Sequence, residues 1–114
     1  MKVNIYLRSK TDLFEAEGLY DDGMVIVKKG SRIHTIQASH VSDGQTTVKT
    51  VRENKSLVDA NGVVLKDYSF LSPSAAANFV TGRSANGYVA WRVDDKNNLG
   101  RFLGRERKGS KQAY

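Results

Sequence analysis

The sequence predicts a single α+β domain, in which a mostly antiparallel sheet of about five strands packs with one or two short helices. The first third of the chain alternates apolar and polar residues in runs separated by turn residues, which is typical of a strand meander. The only proline lies in the segment "SPSAAANFVTG", residues 72–82, which has the start, body and stop of a short helix. A length of 114 residues favours one domain with its own core.

Three strands are predicted in the N-terminal third. Residues 2–8 ("KVNIYLR") alternate between apolar and polar side chains, and within residues 13–20 ("LFEAEGLY") Phe14 and Ala16 fall on one face and Glu15 and Glu17 on the other. Residues 24–30 ("MVIVKKG") form the third strand, and its terminal glycine ends it. The "DDG" run at 21–23 is a turn signal between apolar runs, so the second and third strands should form a hairpin.

The middle of the chain carries weaker signals. Residues 31–44 are polar and predict no element, whereas apolar spacing predicts a helix from about Thr46 to Lys55. The "DANG" run at 59–62 is a turn signal. Residues 63–70 ("VVLKDYSF") are interpreted as a short strand or an extended link to the helix that follows.

A helix, a stop and a strand are predicted next. Ser72 can cap the first free amides, and Pro73 suits the first helical position. Gly82 suits a left-handed C-terminal cap. Asn86-Gly87 is the strongest turn dipeptide of the chain and predicts a tight turn. A strand over residues 88–93 should follow, burying Trp91 with its neighbouring valines and leaving Tyr88 on the polar face.

The net charge of +6, with a sequence pI near 9.7, is unevenly distributed. Residues 101–114 contain five basic residues and one acidic residue, so most of the excess lies there. We therefore expect an ordered domain over residues 1–100 and a basic, flexible tail over 101–114. Such a tail favours contact with a polyanion such as nucleic acid, and a merely solubilising end is the alternative.

No catalytic constellation is recognisable, so we expect that the protein is not an enzyme and uses no metal or cofactor. The chain has no cysteine, and its two histidines, His34 and His40, lack metal-ligand spacing. The paired aspartates at 21–22 and 94–95 lie where turns favour aspartate. Without cysteines, a membrane-length apolar run or a signal peptide, a cytoplasmic location is expected.

The candidate binding residues lie in the loop after the predicted helix and at the start of that helix, where the backbone fixes the positions of polar groups. Arg83, Ser84 and Asn86 lie in the loop after the helix, and Ser72 and Ser74 mark a helix start whose free amides favour anions. Together these groups could hold a backbone phosphate. The alternative is that both serines cap the helix, the arginine is solvated and the asparagine serves the turn.

The segment 72–91 closely resembles a family of small domains, domain of unknown function 4357, that often stand at the C-terminus of larger proteins. In that family a Ser-Pro-Ser-Ala-Ala-Ala run precedes Gly-Arg, Asn-Gly with an aromatic residue, and tryptophan. The matching residues here are Ser72, Pro73, Ser74, Ala75, Ala76, Ala77, Gly82, Arg83, Asn86, Gly87, Tyr88 and Trp91. The family often has tryptophan at the position of Tyr88, and "KKGSRI" at 28–33 resembles its glycine-serine step. The resemblance covers roughly residues 13–93.

Relatives of this family are appended to GIY-YIG nucleases and restriction-modification proteins, and the segment is similar to the RAMA domain, which is linked with reading DNA. The resemblance implies a non-catalytic, DNA-associated accessory module of restriction or defence type. A protein-interaction or oligomerisation module, such as a homodimer, is the alternative function. The candidate nucleic-acid-binding residues are Lys29, Ser31, Arg32, Ser72, Ser74, Arg83, Ser84, Asn86 and Tyr88.

Overall fold

A four-stranded antiparallel sheet forms the centre of the structure, which is a computed structural model that describes residues 2–35 and 51–104. The strands lie side by side in chain order, and short helices accompany them. This confirms the predicted α+β class, with four strands in place of about five. The strands are β1 (Lys2–Arg8), β2 (Glu15–Asp21), β3 (Met24–Val27) and β4 (Tyr68–Phe70).

The predicted meander is confirmed as β1 to β3. A two-residue turn joins β2 to β3, and both of its central residues have positive φ, 46° at Asp22 and 98° at Gly23. Such a turn matches the right-handed twist of the flanking strands. The alternating pattern places Ile5, Leu7 and Ala16 in the core, as the sequence predicts.

Helix α1 (Pro73–Thr81) packs across the face of β2, β3 and β4. Its start and stop are those predicted: the Ser72 side chain accepts a hydrogen bond from the Ala75 amide at 3.1 Å. Gly82 has a φ of 75°, and its N–H donates to the Asn78 carbonyl oxygen at 2.9 Å. Both ends of the helix are therefore satisfied by local groups that the sequence supplies.

Helix α2 (Gly87–Ala90) replaces the strand that the sequence predicts over residues 88–93, so that prediction is wrong. The Asn86 side chain accepts from the Tyr88 amide at 3.0 Å and caps a single helical turn. Val89, which a strand would bury, is 59% exposed. The expected burial of Trp91 is confirmed, because it is fully enclosed where the chain leaves the turn.

The remaining segments connect the sheet to its surroundings. Of the predicted strand over 63–70, only β4 forms, while Val63 and Val64 make isolated bridges to Arg32 and Val58. Residues 51–53 are helical, and the earlier part of the helix predicted at 46–55 lies outside the described residues. Residues 99–104 are also helical. His40 and the basic residues of 105–114 lie outside the described residues.

The core lies between the sheet and α1. The rings of Phe70 and Phe79 are 5.0 Å apart between centroids, and Ala76 and Ala77 are fully buried. Small side chains at these two positions let the helix backbone approach the sheet closely. No helix in the described ranges is long and apolar enough to cross a membrane.

Candidate nucleic-acid interface

The loop 82–86 joins α1 to α2, and the hydroxyl of Thr81 holds its first half. The Thr81 Oγ1 is placed to donate to the carbonyl oxygen of Ala77 at 2.9 Å or of Arg83 at 3.0 Å. The same oxygen accepts from the Arg83 amide at 3.3 Å. The Thr81 side chain therefore holds the main-chain N–H of Arg83, while the carbonyl oxygens of Arg83 and Ala77 share its single hydroxyl hydrogen.

Asn78 holds the second half of the loop. Its side chain is 1% exposed, and its Oδ1 accepts from the Ala85 amide at 2.8 Å. The next residue, Asn86, is the cap of α2. The loop consequently has a defined path between two helix ends, which is typical of loops that present functional groups from a rigid scaffold.

Helix α2 seats directly on the start of α1. The Gly87 amide donates to the Ser74 Oγ at 3.0 Å, and the Trp91 Nε1 donates to the Pro73 carbonyl oxygen at 3.0 Å. A Cβ atom at Gly87 would lie 2.1 Å from the Pro73 carbonyl carbon. Only glycine can occupy this position with the two helices so close.

The contact of α2 with α1 covers the N-terminus of α1, which the sequence predicts as a phosphate-binding site. Pro73 has no N–H, the Ala75 amide bonds to the Ser72 Oγ, and the Ala76 amide donates to the Ser72 carbonyl oxygen at 3.2 Å. The Ser74 nitrogen lies 2.3 Å from where a Gly87 Cβ would stand. Ser72 thus caps α1, as the alternative expects, whereas Ser74 accepts from Gly87 and does not cap the helix. Contact of either serine with nucleic acid stays a prediction.

Arg83 is placed differently from those groups. Its side chain is exposed, and its guanidinium makes no hydrogen bond or ion pair with any residue in the ranges 2–35 and 51–104. Ser84 beside it and Tyr88 on α2 are exposed as well. A nine-residue helix is about 14 Å long, so Arg83 and Ser72 stand at opposite ends of α1 and cannot share one phosphate.

The candidates Lys29, Ser31 and Arg32 line a polar cleft of about 270 Å³ beside the start of β2. Ser31 is buried there, and its hydroxyl accepts from the Glu17 amide at 3.0 Å. Lys29 is exposed, and its main-chain amide donates to Asp67. The cleft is lined by Glu15, Glu17, Lys29, Gly30, Ser31 and Arg32.

Carboxylates dominate the surroundings of Arg32. Its Nη2 lies 2.5 Å from the Asp12 Oδ1, and its Nη1 donates to the Asp12 carbonyl oxygen at 2.9 Å. Glu15 and Glu17 share the same cleft. A phosphate approaching Arg32 would meet three like charges, so this cleft is a poorer anion site than the Arg83 loop.

A half-buried arginine that the sequence does not single out ties the C-terminal part of α1 to the segment that follows β3. Arg52 donates to the carbonyl oxygens of Phe79 and His34, and burial lowers the pKa of its guanidinium. A wider cleft of about 750 Å³ adjoins it, with Ile33, Val58 and Gly62 among its walls. Two carbonyl partners account for the position of this side chain, which makes it a structural tie.

Sequence reasoning missed the two residues that support the loop, Asn78 and Thr81. A signal was present, since both are polar residues within an otherwise small or apolar helical run that ends at Gly82. Within the described part of the chain, no group of three or more histidine, cysteine, aspartate or glutamate side chains could hold a metal ion.

Comparison with known proteins identifies a family. The model of the family described as "Domain of unknown function (DUF4357)" matches residues 5–102. The match spans most of the chain, and it includes every candidate nucleic-acid-binding residue. No curated protein and no solved structure matches the chain.

Proposed function

The chain belongs to this DUF4357 family, and on that premise we propose that it is a cytoplasmic, non-catalytic accessory module that binds duplex DNA in a restriction or defence context. The resemblance to RAMA domains and the excess of basic residues support the nucleic-acid partner. The proposed contact is electrostatic and directed at the phosphate backbone.

One observation carries the proposal: Arg83 is an exposed cation without a partner among the described residues, on a loop whose main chain is held. An arginine fork matches the geometry of a phosphate better than a lysine does. Ser84 and Tyr88 are exposed on the same connection and are the neighbouring contacts. Lys29 and Arg32 take a minor part, because carboxylates flank them, and Ser31 takes the least, because it is buried and its hydroxyl bonds to the Glu17 main chain.

A salt titration of binding to a short duplex DNA tests the proposal. Removing the Arg83 guanidinium with Arg83→Ala should weaken binding about tenfold at low salt. The slope of log K against log salt, which is negative, should become less steep by about one. Arg32→Ala is the matched control, since it removes the same charge from a paired position. It should weaken binding less than threefold.

Two results would reject the DNA proposal. One is the absence of any binding to duplex DNA at low salt. The other is binding by Arg83→Ala that equals that of the unaltered protein over the whole titration.

A specific observation also favours a protein-interaction or homodimer function as the second candidate. Leu71 is 85% exposed directly after β4, and β4 is the last strand in the sheet order, so its outer edge has no strand neighbour among the described residues. Exposed edges and apolar side chains are where partner strands add. Light scattering with and without duplex DNA separates the two: a DNA-independent dimer supports this candidate.

A further inference from the structure

Buried polar side chains are rare in the described part of this chain, and two of the three lie on α1. Asn78 is 1% exposed and Thr81 is 8% exposed, and the third is Ser31. The other buried residues of α1 are Pro73, Ala76, Ala77, Phe79 and Val80, all without a polar side chain. Apolar side chains of similar size would avoid the desolvation cost of a polar group there, so a packing role alone does not explain these two residues.

Both residues direct polar atoms at the loop 82–86. The Thr81 Oγ1 accepts from the Arg83 amide, its hydrogen is shared between the carbonyl oxygens of Arg83 and Ala77, and the Asn78 Oδ1 accepts from the Ala85 amide. The Gly82 amide is held by the helix end. The loop backbone before and after Arg83 is therefore held by the buried side chains of Thr81 and Asn78 and by the end of α1.

We propose that Thr81 and Asn78 are positioning residues for the phosphate contact of Arg83, an inference that rests on the proposed DNA function. Binding costs free energy when it must order a mobile loop, and a loop ordered beforehand avoids that cost. The hydroxyl and the amide fix the loop before the partner arrives. They act through Arg83 and touch no nucleic acid themselves.

Thr81→Val tests this inference, because valine keeps the shape of threonine and replaces the hydroxyl with a methyl group that cannot form these hydrogen bonds. Binding to a short duplex DNA should weaken about fivefold. The dependence on salt should keep its slope, because Arg83 still reaches the phosphate. Thr81→Ser, which restores the hydroxyl, should bind within about twofold of the unaltered protein.

The decisive measurement repeats Thr81→Val in an Arg83→Ala background. A positioning role predicts that the hydroxyl no longer matters there, whereas a merely structural role predicts the same loss in both backgrounds. Amide exchange at Arg83 and Ala85 should increase in Thr81→Val while exchange in β2 and β3 stays unchanged, which shows that the variant is folded.

Each outcome decides one of the two proposals. Undiminished binding by Thr81→Val, or an equal loss in both backgrounds, overturns the positioning role and leaves the DNA function standing. A protein that does not bind duplex DNA, or that binds equally well after Arg83→Ala, overturns the DNA function and the positioning role together.

Discussion

Arg83 and Arg32 are both arginines in short connections, yet the structure supports them in opposite ways. Arg32 is held through its charge, since Asp12 pairs with its guanidinium and two glutamates share its cleft. Arg83 is held through its backbone, by the neutral side chain of Thr81, and its guanidinium has no partner among the described residues. Because only the backbone of Arg83 is held, its guanidinium remains available to bind a ligand. The guanidinium of Arg32 is already neutralised by an ion pair within the fold.

The largest expected effect is on the free energy of unfolding, when Gly87 near the Arg83 loop and Gly30 near Arg32 are each replaced by alanine. Gly87→Ala should destabilise the protein by about 3 kcal/mol, since the new methyl group overlaps the Pro73 backbone. Gly30→Ala beside Arg32 should cost only about 1 kcal/mol, because Gly30 has a φ of 90° but open space around its Cβ position. Chemical denaturation of both variants measures the difference.

An equal loss of unfolding free energy in the two glycine variants would break the comparison. It would mean that α2 can move away from α1, and that the loop carrying Arg83 is no more constrained than the connection carrying Arg32.

A smaller effect should follow from releasing Arg32. Asp12→Asn removes the carboxylate charge and keeps an acceptor, and asparagine tolerates the φ of 59° at this position. Binding to duplex DNA at low salt should rise about threefold, because the charge of Arg32 is no longer neutralised. The matched control is Asp22→Asn, an equal change of charge at another left-handed position.

The two asparagine variants separate local from global charge. A larger increase in DNA binding for Asp12→Asn than for Asp22→Asn would show that the ion pair with Asp12 keeps Arg32 from binding DNA. Equal gains would show that only the net charge of the protein matters.

The smallest effect concerns pH and a third loop, the one after Trp91. The amide of Lys96 and the side chain of Asn97 donate to the Asp94 carboxylate and hold its pKa below the usual value. This carboxylate therefore stabilises the fold above a pH of about 4, and its contribution is lost as the pH falls through the lowered pKa. The Thr81 and Asn78 contacts involve neutral groups and should not respond.

An acid titration followed by NMR checks this distinction. The amide shifts of Lys96 and Asn97 should move with a midpoint below that of an ordinary aspartate, while the shift of the Ala85 amide stays constant. Asp94→Asn should abolish the movement. Parallel movement of all three amides would mean that the loops are coupled, which would remove the distinction.

Local signals explain what the sequence predicts correctly. The ends of α1 follow from Ser72, Pro73 and Gly82, which act on groups within four residues of themselves. The meander follows from alternation and from a two-residue turn. Arg83 is identified as a candidate because it stands just past a helix stop, where side chains are exposed.

Contacts between distant residues explain what the sequence does not predict. Asn86-Gly87 has the local signature of a hairpin turn, and the approach of Gly87 to Pro73 makes it the start of a helix instead. The pairing of Arg32 with Asp12 spans twenty residues and leaves no periodic trace. Neither the approach of Gly87 to Pro73 nor the pairing of Arg32 with Asp12 can be inferred from the spacing of residues along the chain.

The bridge between Tyr6 and Arg92 protects the outer edge of β1. The Tyr6 main-chain amide donates to the Arg92 carbonyl oxygen at 2.9 Å, and the Tyr6 carbonyl oxygen accepts from the Arg92 amide at 2.8 Å. A strand edge left open is a template for aggregation, because its unpaired amides and carbonyl oxygens can bind a strand of another molecule. The segment after α2 therefore blocks the addition of a foreign strand along β1.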